Sequence, residues 1–582
     1  MERIIPRPEH PNPQWERESF VNLNGEWQFE IDRGASGHER GLIEASTLSS
    51  VINVPFCPES SLSGVCDKDF MLQVWYKKTV TFTEEELNGN RVILHFGAAD
   101  FITTVYVDGK KVGGSHVGGY GSFEYDITPF VKAGENLITV QCYDDTRSPT
   151  QPLGKQCNQY FSRGCSYTRT TGIWQTVWYE IVPETHIKCA NIIPDVNNAS
   201  VSVSFELEGK GDISAEVFFE GKKVGEAKKK SVSVTASLEI ALSESHLWDV
   251  GVGNLYDVVF TFGKDKVKSY FGLRHVELKD GKFLLNGKSV FQRLVLDQGY
   301  YHDGILTAPT EAALERDIDL SMAAGFNGAR LHQKVFEPRF LYHADKKGYL
   351  VWGEYSSWGI DHSDLANICY FEPDWLSVVK RDRNHPAIIG WCPFNETWDY
   401  GPSVKRQCND FLRMVYDATK LLDPTRPCID TSGNYHVVTD IFDVHDYDQN
   451  PETFREHYDL LVKENVLYDK FSSRQTWRGE PVFISEYGGI GINIENNAYG
   501  AGQRKTAWSY GKSCFSYEEF YERYKGLTDA MLDNPRIMGF CYTQLTDVEQ
   551  EMNGIFDFET REPKFDLEIM SSINKRKAAI ED

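Results

Sequence analysis

Two glutamates each follow a short apolar run, and their residue type and place suit acid–base chemistry. Glu396 comes after the run WCPF with Asn395 directly before it, and Glu486 comes after the run PVFIS. A carboxyl group beside apolar walls tends to have a raised pKa, and two facing carboxyl groups can divide into a protonated acid and an ionised partner. Cleavage of a glycosidic bond needs that division. The alternative is that both glutamates form ordinary ion pairs in surface loops.

Other polar side chains close or follow apolar runs and could bind a substrate or support the two glutamates. They are Arg330, His332, Glu354, His445, Tyr447 and Gln544. A cation at Arg330 could keep Glu486 ionised, because a nearby positive charge lowers the pKa of a carboxyl group. Tyr447 could donate a hydrogen bond to the same carboxylate. The alternative for each residue is a satisfied position in the core.

The usual patterns of metal and cofactor sites are missing from the sequence. His332, His445 and Glu354 could be metal ligands, but they lack the HExxH spacing, and no Cys/His set has zinc spacing. No GxGxxG opens a βαβ unit, and neither GxxxxGK[ST] nor GxSxG occurs, which argues against dinucleotide, P-loop and serine-hydrolase chemistry. We therefore predict no metal and no cofactor.

Tryptophans near the two glutamates are candidates for stacking on a substrate. Trp398 and Trp508 lie in segments rich in Gly, Asp, Asn and Tyr, whereas Trp391 lies inside an apolar run. A flat aromatic face with a polar edge suits a sugar ring. We predict that Trp398 and Trp508 contact the substrate and that Trp391 belongs to the core.

The elements that must position these residues begin at about residue 276, where strand-like runs alternate with amphipathic helical stretches. The strand-like runs are 290–297, 327–332, 349–356, 387–396, 428–433, 443–448, 481–488 and 537–547, and helices are predicted at 311–325 and 518–532. This alternation indicates a parallel sheet with crossover helices, and eight strands predict a (β/α)₈ barrel. Functional residues of such barrels lie at the carboxyl ends of the strands, where both glutamates fall.

The segment before the barrel is predicted to be all-β. Residues 1–183 hold alternating runs such as WYKKTVTF and RVILHFG, and residues 184–275 hold shorter ones such as VSVSFELEG and LYDVVFTF. The expected architecture is a jelly-roll-like, sugar-binding-like β-sandwich at 1–183, an immunoglobulin-like β-sandwich at 184–275 and a catalytic TIM barrel at 276–582.

Composition limits the classes of binding partner and the cellular compartment that we expect for this protein. The 582 residues carry a net charge of −24, which argues against a nucleic-acid partner. No run of 18 apolar residues occurs, so we predict no membrane-spanning helix and no membrane partner. Twelve cysteines without a CxxC pair indicate reduced thiols, and we expect a cytoplasmic protein.

At these residues the sequence resembles glycoside hydrolase family 2, which contains β-galactosidases, β-glucuronidases and β-mannosidases. The resemblance covers nearly the whole chain, in a short three-domain form. RNHPAIIGWCPFNE (383–396) is similar to the acid/base segment of the family, and FISEYGG (483–489) is similar to its nucleophile segment. TGIWQTVW (171–178) and LLNGKSVF (284–291) are similar to the end of its first sandwich and the entry to its barrel.

The resemblance implies a retaining double displacement. In that mechanism Glu396 is the acid/base and Glu486 is the nucleophile. Asn395 binds the 2-hydroxyl of the sugar, and Arg330 and Tyr447 support the nucleophile.

Two positions depart from the family pattern, and the role of a third is open. Gly390 stands where a larger apolar residue is usual and Phe394 where a small one is usual, so the packing of the fourth strand is open. Asp100, in HFGAADF (95–101), stands where the family often has a polar residue that contacts the sugar. The alternative for Asp100 is a contact between domains.

The resemblance alone leaves the sugar undecided. β-Glucuronidases carry an Asn-x-Lys element after the nucleophile segment, which pairs with the uronate carboxylate, and none occurs between Tyr487 and Thr560. Arg504, Lys505 and Lys512 could grip a carboxylate by another route, or they are solvated surface charges. We therefore favour a β-galactoside, with a β-glucuronide or β-galacturonide as the alternative and another pyranoside or a furanoside third.

The expected partner is a small glycoside or oligosaccharide, and a homo-oligomer is expected by family analogy only. Two other classes stay open. An inactive carbohydrate-binding protein is disfavoured because both carboxyl groups are present. A metal-assisted barrel hydrolase is disfavoured because the metal-ligand spacing is missing.

Overall fold

A computed structural model of the protein describes residues 5–397, 407–493 and 507–581. Within these ranges the chain forms two β-structures followed by a barrel of parallel strands. None of the described helices is long and apolar enough to cross a membrane.

The first β-structure has two antiparallel sheets that share one apolar core. The six-stranded sheet has the order Ser50–Val54, Gly25–Ile31, Gln73–Phe82, Gly134–Tyr143, Ile102–Val107 and Lys110–Val117. The four-stranded sheet has the order Val21–Asn22, Val177–Pro183, Asn90–Phe96 and Phe123–Asp126. A short ribbon pairs Ala99–Asp100 with Gly172–Ile173. The short helical segments are Ser61–Ser63, Glu84–Leu87 and Thr128–Phe130. Two sheets that pack face to face over one core make a β-sandwich, as predicted.

The second β-structure is built around one long strand, Ser200–Phe219. Its first part pairs with His186–Asp195 and its second part with Tyr256–Phe262, which in turn pairs with Asp265–Phe271. Lys222–Ala241 follows it along almost its whole length. Register shifts between Glu206 and Lys210 and between Gly211 and Ile213 interrupt this ladder without ending the strand. This immunoglobulin-like sandwich has its own apolar core. The domain boundaries at 183 and 275 stay predictions.

The third part is a barrel with eight parallel strands. They are β1 (Gln292–Asp297), β2 (Gly328–Leu331), β3 (Leu350–Glu354), β4 (Ile388–Cys392), β5 (Thr431–Ser432), β6 (Phe442–Asp446), β7 (Val482–Gly488) and β8 (Ile537–Thr543). The hydrogen-bonded order is β4-β3-β2-β1-β8-β7-β6, and β5 pairs with Phe394–Asn395 just beyond β4. Ser432 of β5 also donates a hydrogen bond to Asp443 of β6 over 2.6 Å, so β5 fills the gap in the ring.

Helices surround the barrel. They are α1 (Glu311–Ala323), α2 (Pro338–Lys347), α3 (Glu372–Asp382), α4 (Asn409–Leu422), α5 (Pro451–Lys463), α6 (Tyr517–Leu532) and α7 (Leu567–Asn574). The remaining elements are Val276–Lys279, Lys282–Leu285 and Lys288–Ser289 in one sheet, the pair Ile490–Ile492 and Tyr510–Cys514, and the turns Leu365–Tyr370 and Ala579–Glu581. The connection 433–441 between β5 and β6, all of which is described, contains no helix. The barrel strands are buried on both faces, as expected for a parallel sheet covered by helices.

Buried polar contacts attach the first sandwich to its neighbours. Arg17 contacts Glu180 of the first sandwich over 2.8 Å and Asp265 of the second over 2.9 Å. Asp374, in the first turn of α3, accepts hydrogen bonds from the backbone N–H groups of Tyr120 and Gly121. Because α3 begins after β3 ends, this contact holds the first sandwich at the mouth of the barrel.

Candidate active site

The two glutamates singled out in the sequence lie together at the mouth of the barrel. Glu396 directly follows the Phe394–Asn395 extension of β4, and Glu486 lies in β7. Both are buried, at 8% and 2% exposure. One carboxyl oxygen of each lies within 4.8 Å of the other. The barrel therefore brings the two carboxyl groups close enough to act on one bond.

The backbone of Glu396 adopts a left-handed conformation. Its φ is +47°, and its N–H donates a 2.8 Å hydrogen bond to the carbonyl of Ser432 in β5. A non-glycine residue in this region costs on the order of 1–3 kcal/mol, so the surrounding structure must hold it there. The bond to β5 supplies that restraint.

Glu486 is surrounded by groups that stabilise its ionised form. Tyr447 donates a 2.5 Å hydrogen bond to Oε2, and Arg330 donates one of 3.2 Å to Oε1. Burial by itself raises the pKa of Glu486, but His445, His332 and Arg330, together with the bond from Tyr447, outweigh burial and lower it. Glu486 is therefore held as a carboxylate.

The pKa of Glu396 is shifted in the opposite direction. Burial is the largest influence and raises its pKa, and the negative charge of Glu486 raises it further, while the hydrogen bond to His445 opposes both. The net direction is upward, which favours the protonated form. The pKa values of the two carboxyl groups are thus shifted in opposite directions.

His445, in β6, stands between the two carboxyl groups. Its Nδ1 lies 2.8 Å from Oε1 of Glu396 and 3.3 Å from Oε2 of Glu486, and its Nε2 lies 2.9 Å from the hydroxyl of Ser432. Burial by itself lowers the pKa of His445, but the charges of Glu486 and Glu396 outweigh it and raise the pKa. The ring therefore supplies positive charge beside Glu486.

Arg330 donates hydrogen bonds to three side chains at the base of the site. Its guanidinium donates hydrogen bonds to Glu354 over 2.5 Å and to Asn395 over 3.2 Å, in addition to Glu486. His332 lies 3.1 Å from the other oxygen of Glu354, and burial together with neighbouring cations lowers the pKa of His332 well below its usual value. Glu354 and His332 thus position Arg330.

Asn395 has a free donor. Its Oδ1 accepts the bond from Arg330, and its Nδ2 is buried without a partner among the described residues. The indole of Trp358 donates to the Asn395 carbonyl over 3.0 Å. Buried donors are normally satisfied, so the Asn395 amide is available for a ligand.

Two further predicted residues lie beside this centre. Trp508 is half-buried, and its ring lies 4.8 Å from that of Tyr510, which stacks on Tyr447 at 3.6 Å. Gln544 is fully buried and donates a 2.8 Å bond to Asn553. Trp508 is therefore linked to Glu486 through the rings of Tyr510 and Tyr447. Gln544 makes no hydrogen bond with Glu486 or Glu396 among the described residues. Trp391 is fully buried in the core, as predicted.

Asp100 takes part in a different set of contacts. It is fully buried, and its carboxyl group accepts hydrogen bonds from Gln156 over 2.7 Å and Gln151 over 3.4 Å. Both donors belong to the first sandwich. Asp100 therefore supports the long connection that contains Gln156 and makes no hydrogen bond with Glu396 or Glu486.

The predicted residues Trp398, Arg504 and Lys505 lie outside the described residues. Lys512 is exposed, and its ammonium lies 5.8 Å from the ring of Phe515.

Gly390 and Phe394, the two residues of the fourth strand that depart from the family pattern, both lie against aromatic rings. A Cβ on Gly390 would lie 2.4 Å from the ring of Trp352, so the glycine leaves room for that indole. Phe394 is fully buried and stacks on Phe371 at 4.4 Å. The packing around β4 is therefore aromatic and needs a small residue at 390.

Sequence reasoning missed two buried charged residues near the site, Lys155 and Glu551. Lys155 comes from the connection between the strands Gly134–Tyr143 and Gly172–Ile173, and Glu551 follows β8. Neither residue closes an apolar run. The remaining available signal was the position of Glu551 in the loop after the last barrel strand, where functional residues concentrate.

The alternative to a proton shared among Glu396, His445 and Glu486 is a metal ion bound by these three residues. Within residues 5–397, 407–493 and 507–581, Glu396, His445 and Glu486 place one donor atom each within 4.8 Å of the others. The 2.8 Å separation of His445 Nδ1 and Glu396 Oε1 is that of a hydrogen bond, with a proton between the atoms. The raised pKa of His445 favours that proton, whereas a metal ligand must be unprotonated. The donor set fits a proton-sharing group better than a metal site.

Family models match the three parts of the chain in order. The sugar binding domain of "Glycosyl hydrolases family 2" matches residues 67–178, the model "Glycosyl hydrolases family 2" matches 185–274, and the TIM barrel domain of that family matches 276–573. This architecture is that of a hydrolase of glycosidic bonds. The chain belongs to glycosyl hydrolase family 2, as its resemblance implied.

Curated relatives carry two different activities in their names. A putative β-glucuronidase of Formosa agariphila is 27% identical over 74% of this chain and 52% of its own length. A β-galactosidase of Thermoanaerobacter pseudethanolicus is 28% identical over 66% of this chain and 52% of its own length. The chain thus spans about half the length of these two proteins. A β-glucuronidase of Streptococcus agalactiae is 24% identical, with 80% and 82% covered.

Two solved structures of similar shape are β-glucuronidases by name. The Bifidobacterium dentium enzyme complexed with coumarin-3-O-glucuronide has a TM-score of 0.79 at 19% identity, with 96% of this chain and 98% of that chain covered. The enzyme of an uncultured Clostridium species has a TM-score of 0.77 at 20% identity, with 96% and 99% covered. At these identities the likeness shows the fold alone.

Proposed function

We propose that this family 2 glycosidase is a retaining exo-β-glycosidase, with Glu486 as the nucleophile and Glu396 as the acid/base. One observation carries the proposal. Two buried carboxyl groups have oxygens within 4.8 Å of each other, and their pKa values are shifted in opposite directions. Retaining enzymes hold their carboxyl groups about 5–5.5 Å apart, whereas inverting enzymes leave about 6.5–9.5 Å for a water molecule.

The first step forms a glycosyl–enzyme ester. An oxygen of Glu486 attacks the anomeric carbon while the bond from that carbon to the leaving oxygen breaks. Glu396 gives its proton to the leaving oxygen. The hydrogen bonds from Arg330 and Tyr447 keep Glu486 ionised until this point.

The second step releases the sugar. With its proton gone, Glu396 accepts a proton from a water molecule, whose oxygen attacks the anomeric carbon and displaces Glu486. Two inversions leave the β configuration unchanged. The Nδ2 of Asn395, which has no partner among the described residues, would donate to the sugar 2-hydroxyl, a contact that strengthens in the transition state.

We further propose a β-galactoside as the substrate. Asn-x-Lys is missing from the segment after the nucleophile, and Lys512 is exposed. The first sandwich, held at the barrel mouth through Asp374, would close one side of the pocket and favour a terminal sugar. The second candidate is a β-uronide. The observation that favours it is the buried residue Lys155, whose ammonium has neither a hydrogen-bond acceptor nor an ion-pair partner among the described residues.

A stereochemical measurement tests the mechanism. Proton NMR of an aryl β-galactoside digest should show the β anomer of the sugar first, followed by slow mutarotation. A 2-deoxy-2-fluoro aryl glycoside should trap the ester, and peptide mass spectrometry should locate it on Glu486. First appearance of the α anomer, or a label on another residue, would refute the assignment.

A further inference from the structure

Lys155 is a buried cation whose N–H donors have no acceptor. Its side chain comes from the first sandwich and is 4% exposed. The ammonium lies 4.0 Å from the centre of the Trp358 ring, and Trp358 donates its indole N–H to the carbonyl of Asn395, next to Glu396. Among the described residues the ammonium has neither a hydrogen-bond acceptor nor an ion-pair partner. A cation over an aromatic ring is stabilised, but its N–H groups still need acceptors.

Glu551, in the loop after β8, is a buried carboxyl group whose charge acts on Lys155. It is 1% exposed, and its oxygens accept hydrogen bonds from Tyr167 over 2.6 Å and Asn553 over 3.1 Å. Its backbone pairs with Trp508. Tyr167 also links this residue to Lys155, because its N–H donates to the carbonyl of Lys155 over 2.7 Å. Lys155 and Glu551 are therefore positioned through one shared tyrosine.

Both residues share the electrostatic field of the proposed catalytic pair. Burial by itself lowers the pKa of Lys155, but nearby negative groups, among them Glu551, Glu396 and Glu486, outweigh it and raise the pKa. Burial raises the pKa of Glu551, and the charge of Glu486 adds to this effect, while Lys155 and the hydrogen bonds from Tyr167 and Asn553 oppose it and favour the carboxylate. The ammonium is therefore already compensated by negative groups of the protein and lacks only hydrogen-bond acceptors.

The connection that presents Lys155 is held rigidly against the barrel. The N–H groups of Leu153 and Gly154 donate to the carbonyl of Trp358 over 2.6 and 3.2 Å. Gly154 has a φ of +62°, and a Cβ there would lie 2.3 Å from the carbonyl of Gln333 in the barrel. Gln156 is fixed by Asp100. A preorganised donor binds a ligand without an ordering cost.

We propose that Lys155 and Glu551 bind hydroxyl groups of a neutral terminal sugar and exclude a uronate, an inference that rests on the proposed glycosidase function. A neutral sugar offers oxygens to the ammonium and O–H donors to the carboxylate. A uronate would add a further negative charge beside Glu551 and Glu486. Like charges at close range oppose binding, so the pair selects by charge as well as by hydrogen bonding.

The test compares two aryl glycosides that differ at C6 alone, a β-galactoside and a β-galacturonide. We expect the wild-type kcat/KM to favour the galactoside by at least roughly a hundredfold. Glu551→Gln keeps the shape and removes the charge, and it should reduce that preference at least about tenfold. Lys155→Met should lower kcat/KM for the galactoside by roughly 10–100-fold, because a hydrogen bond from a charged donor is lost. Lys512→Met is the matched control, and neither rate should change.

A wild-type preference for the galacturonide, or an unchanged ratio in Glu551→Gln, would overturn the inference. Hydrolysis of neither glycoside would instead count against the proposed function. Calorimetric titration of galactose and galacturonate into the Glu486→Gln protein then decides the inference separately. Tighter binding of galactose supports it, while equal affinity, tighter binding of the acid or binding of neither sugar overturns it.

Discussion

The Nδ1 atom of His445 lies 2.8 Å from Oε1 of Glu396, and the same atom lies 3.3 Å from Oε2 of Glu486. One imidazole donor therefore faces both carboxyl groups. Because each of the three groups feels the charge of the other two, their proton equilibria are linked. The arrangement keeps positive charge beside Glu486 and places a proton donor next to Glu396.

Replacing the proposed nucleophile should stop turnover without unfolding the protein. In Glu486→Gln the amide cannot form the glycosyl ester, so we expect kcat to fall by roughly 10⁴-fold or more. The side chain keeps its size, so circular dichroism and thermal unfolding should match the wild type within error. Ordinary turnover by this variant would remove Glu486 from the mechanism.

Replacing the proposed acid/base should produce a defect that depends on the leaving group. In Glu396→Ala we expect a loss of about 10²–10⁴-fold for substrates with poor leaving groups, which need protonation. Aryl substrates with good leaving groups should form the ester, and azide should restore its breakdown and give a β-glycosyl azide. The assignment would be weakened if azide had no effect on the rate at any concentration.

The acid side of the pH profile should depend on Tyr447. Glu486 must be ionised to attack, and its lowered pKa sets the acid limb of kcat/KM. The Tyr447 hydrogen bond lowers that pKa, so Tyr447→Phe should raise it and move the acid limb to higher pH. The profile of Tyr468→Phe, a tyrosine stacked on His457, serves as the control and should not move. An acid limb at the same pH in Tyr447→Phe would contradict the role of this bond.

The small residue of β4 should matter for stability. A Cβ at Gly390 would meet the Trp352 ring at 2.4 Å, and the indole N–H of Trp352 is bonded to Gln292 over 2.8 Å, which limits its movement. We expect Gly390→Ala to lower the free energy of unfolding of the barrel by about 1–3 kcal/mol in urea titrations. Gly114→Ala, with open space around its Cβ, should cost less than half as much. Equal effects of the two substitutions would show that the indole yields freely.

Activity should not depend on a divalent metal ion. The contact between His445 and Glu396 is a hydrogen bond, and the raised pKa of His445 favours the protonated ring. Dialysis against a chelator should leave kcat/KM unchanged, and added Mg²⁺ or Zn²⁺ should not raise it. Loss of activity on chelation with recovery on adding one metal would instead indicate a metal-assisted hydrolase.

The barrel elements could be predicted from the sequence because their periodicity is strong and local. The run predicted at 481–488 is the strand Val482–Gly488, and the helix predicted at 518–532 is Tyr517–Leu532. The run 428–433 is a weaker case, since its pairing is limited to Thr431–Ser432. There β5 pairs with Phe394–Asn395, the extension of β4, and not with β4 itself. This pairing joins segments that are distant in sequence, so the local residue pattern could not predict it.

The carboxyl groups could be predicted for the same reason, since Glu396 and Glu486 end apolar runs. Lys155 and Glu551 could not. Lys155 reaches the barrel from a connection in another domain, and its neighbours in space include Trp358 and Glu551, which are far from it in sequence. Contacts between distant segments depend on how the sandwich docks on the barrel.

The sequence by itself determined the order of strands and helices and the residue types at the strand ends. Tertiary structure decided the opposite directions in which the pKa values of the two carboxyl groups are shifted. Both glutamates are buried, and burial raises the pKa of each. At Glu486 the positive charges of His445 and Arg330 and the hydrogen bond from Tyr447 reverse that effect. The division of roles is a property of the assembled pocket, because charge and solvation depend on neighbours in space.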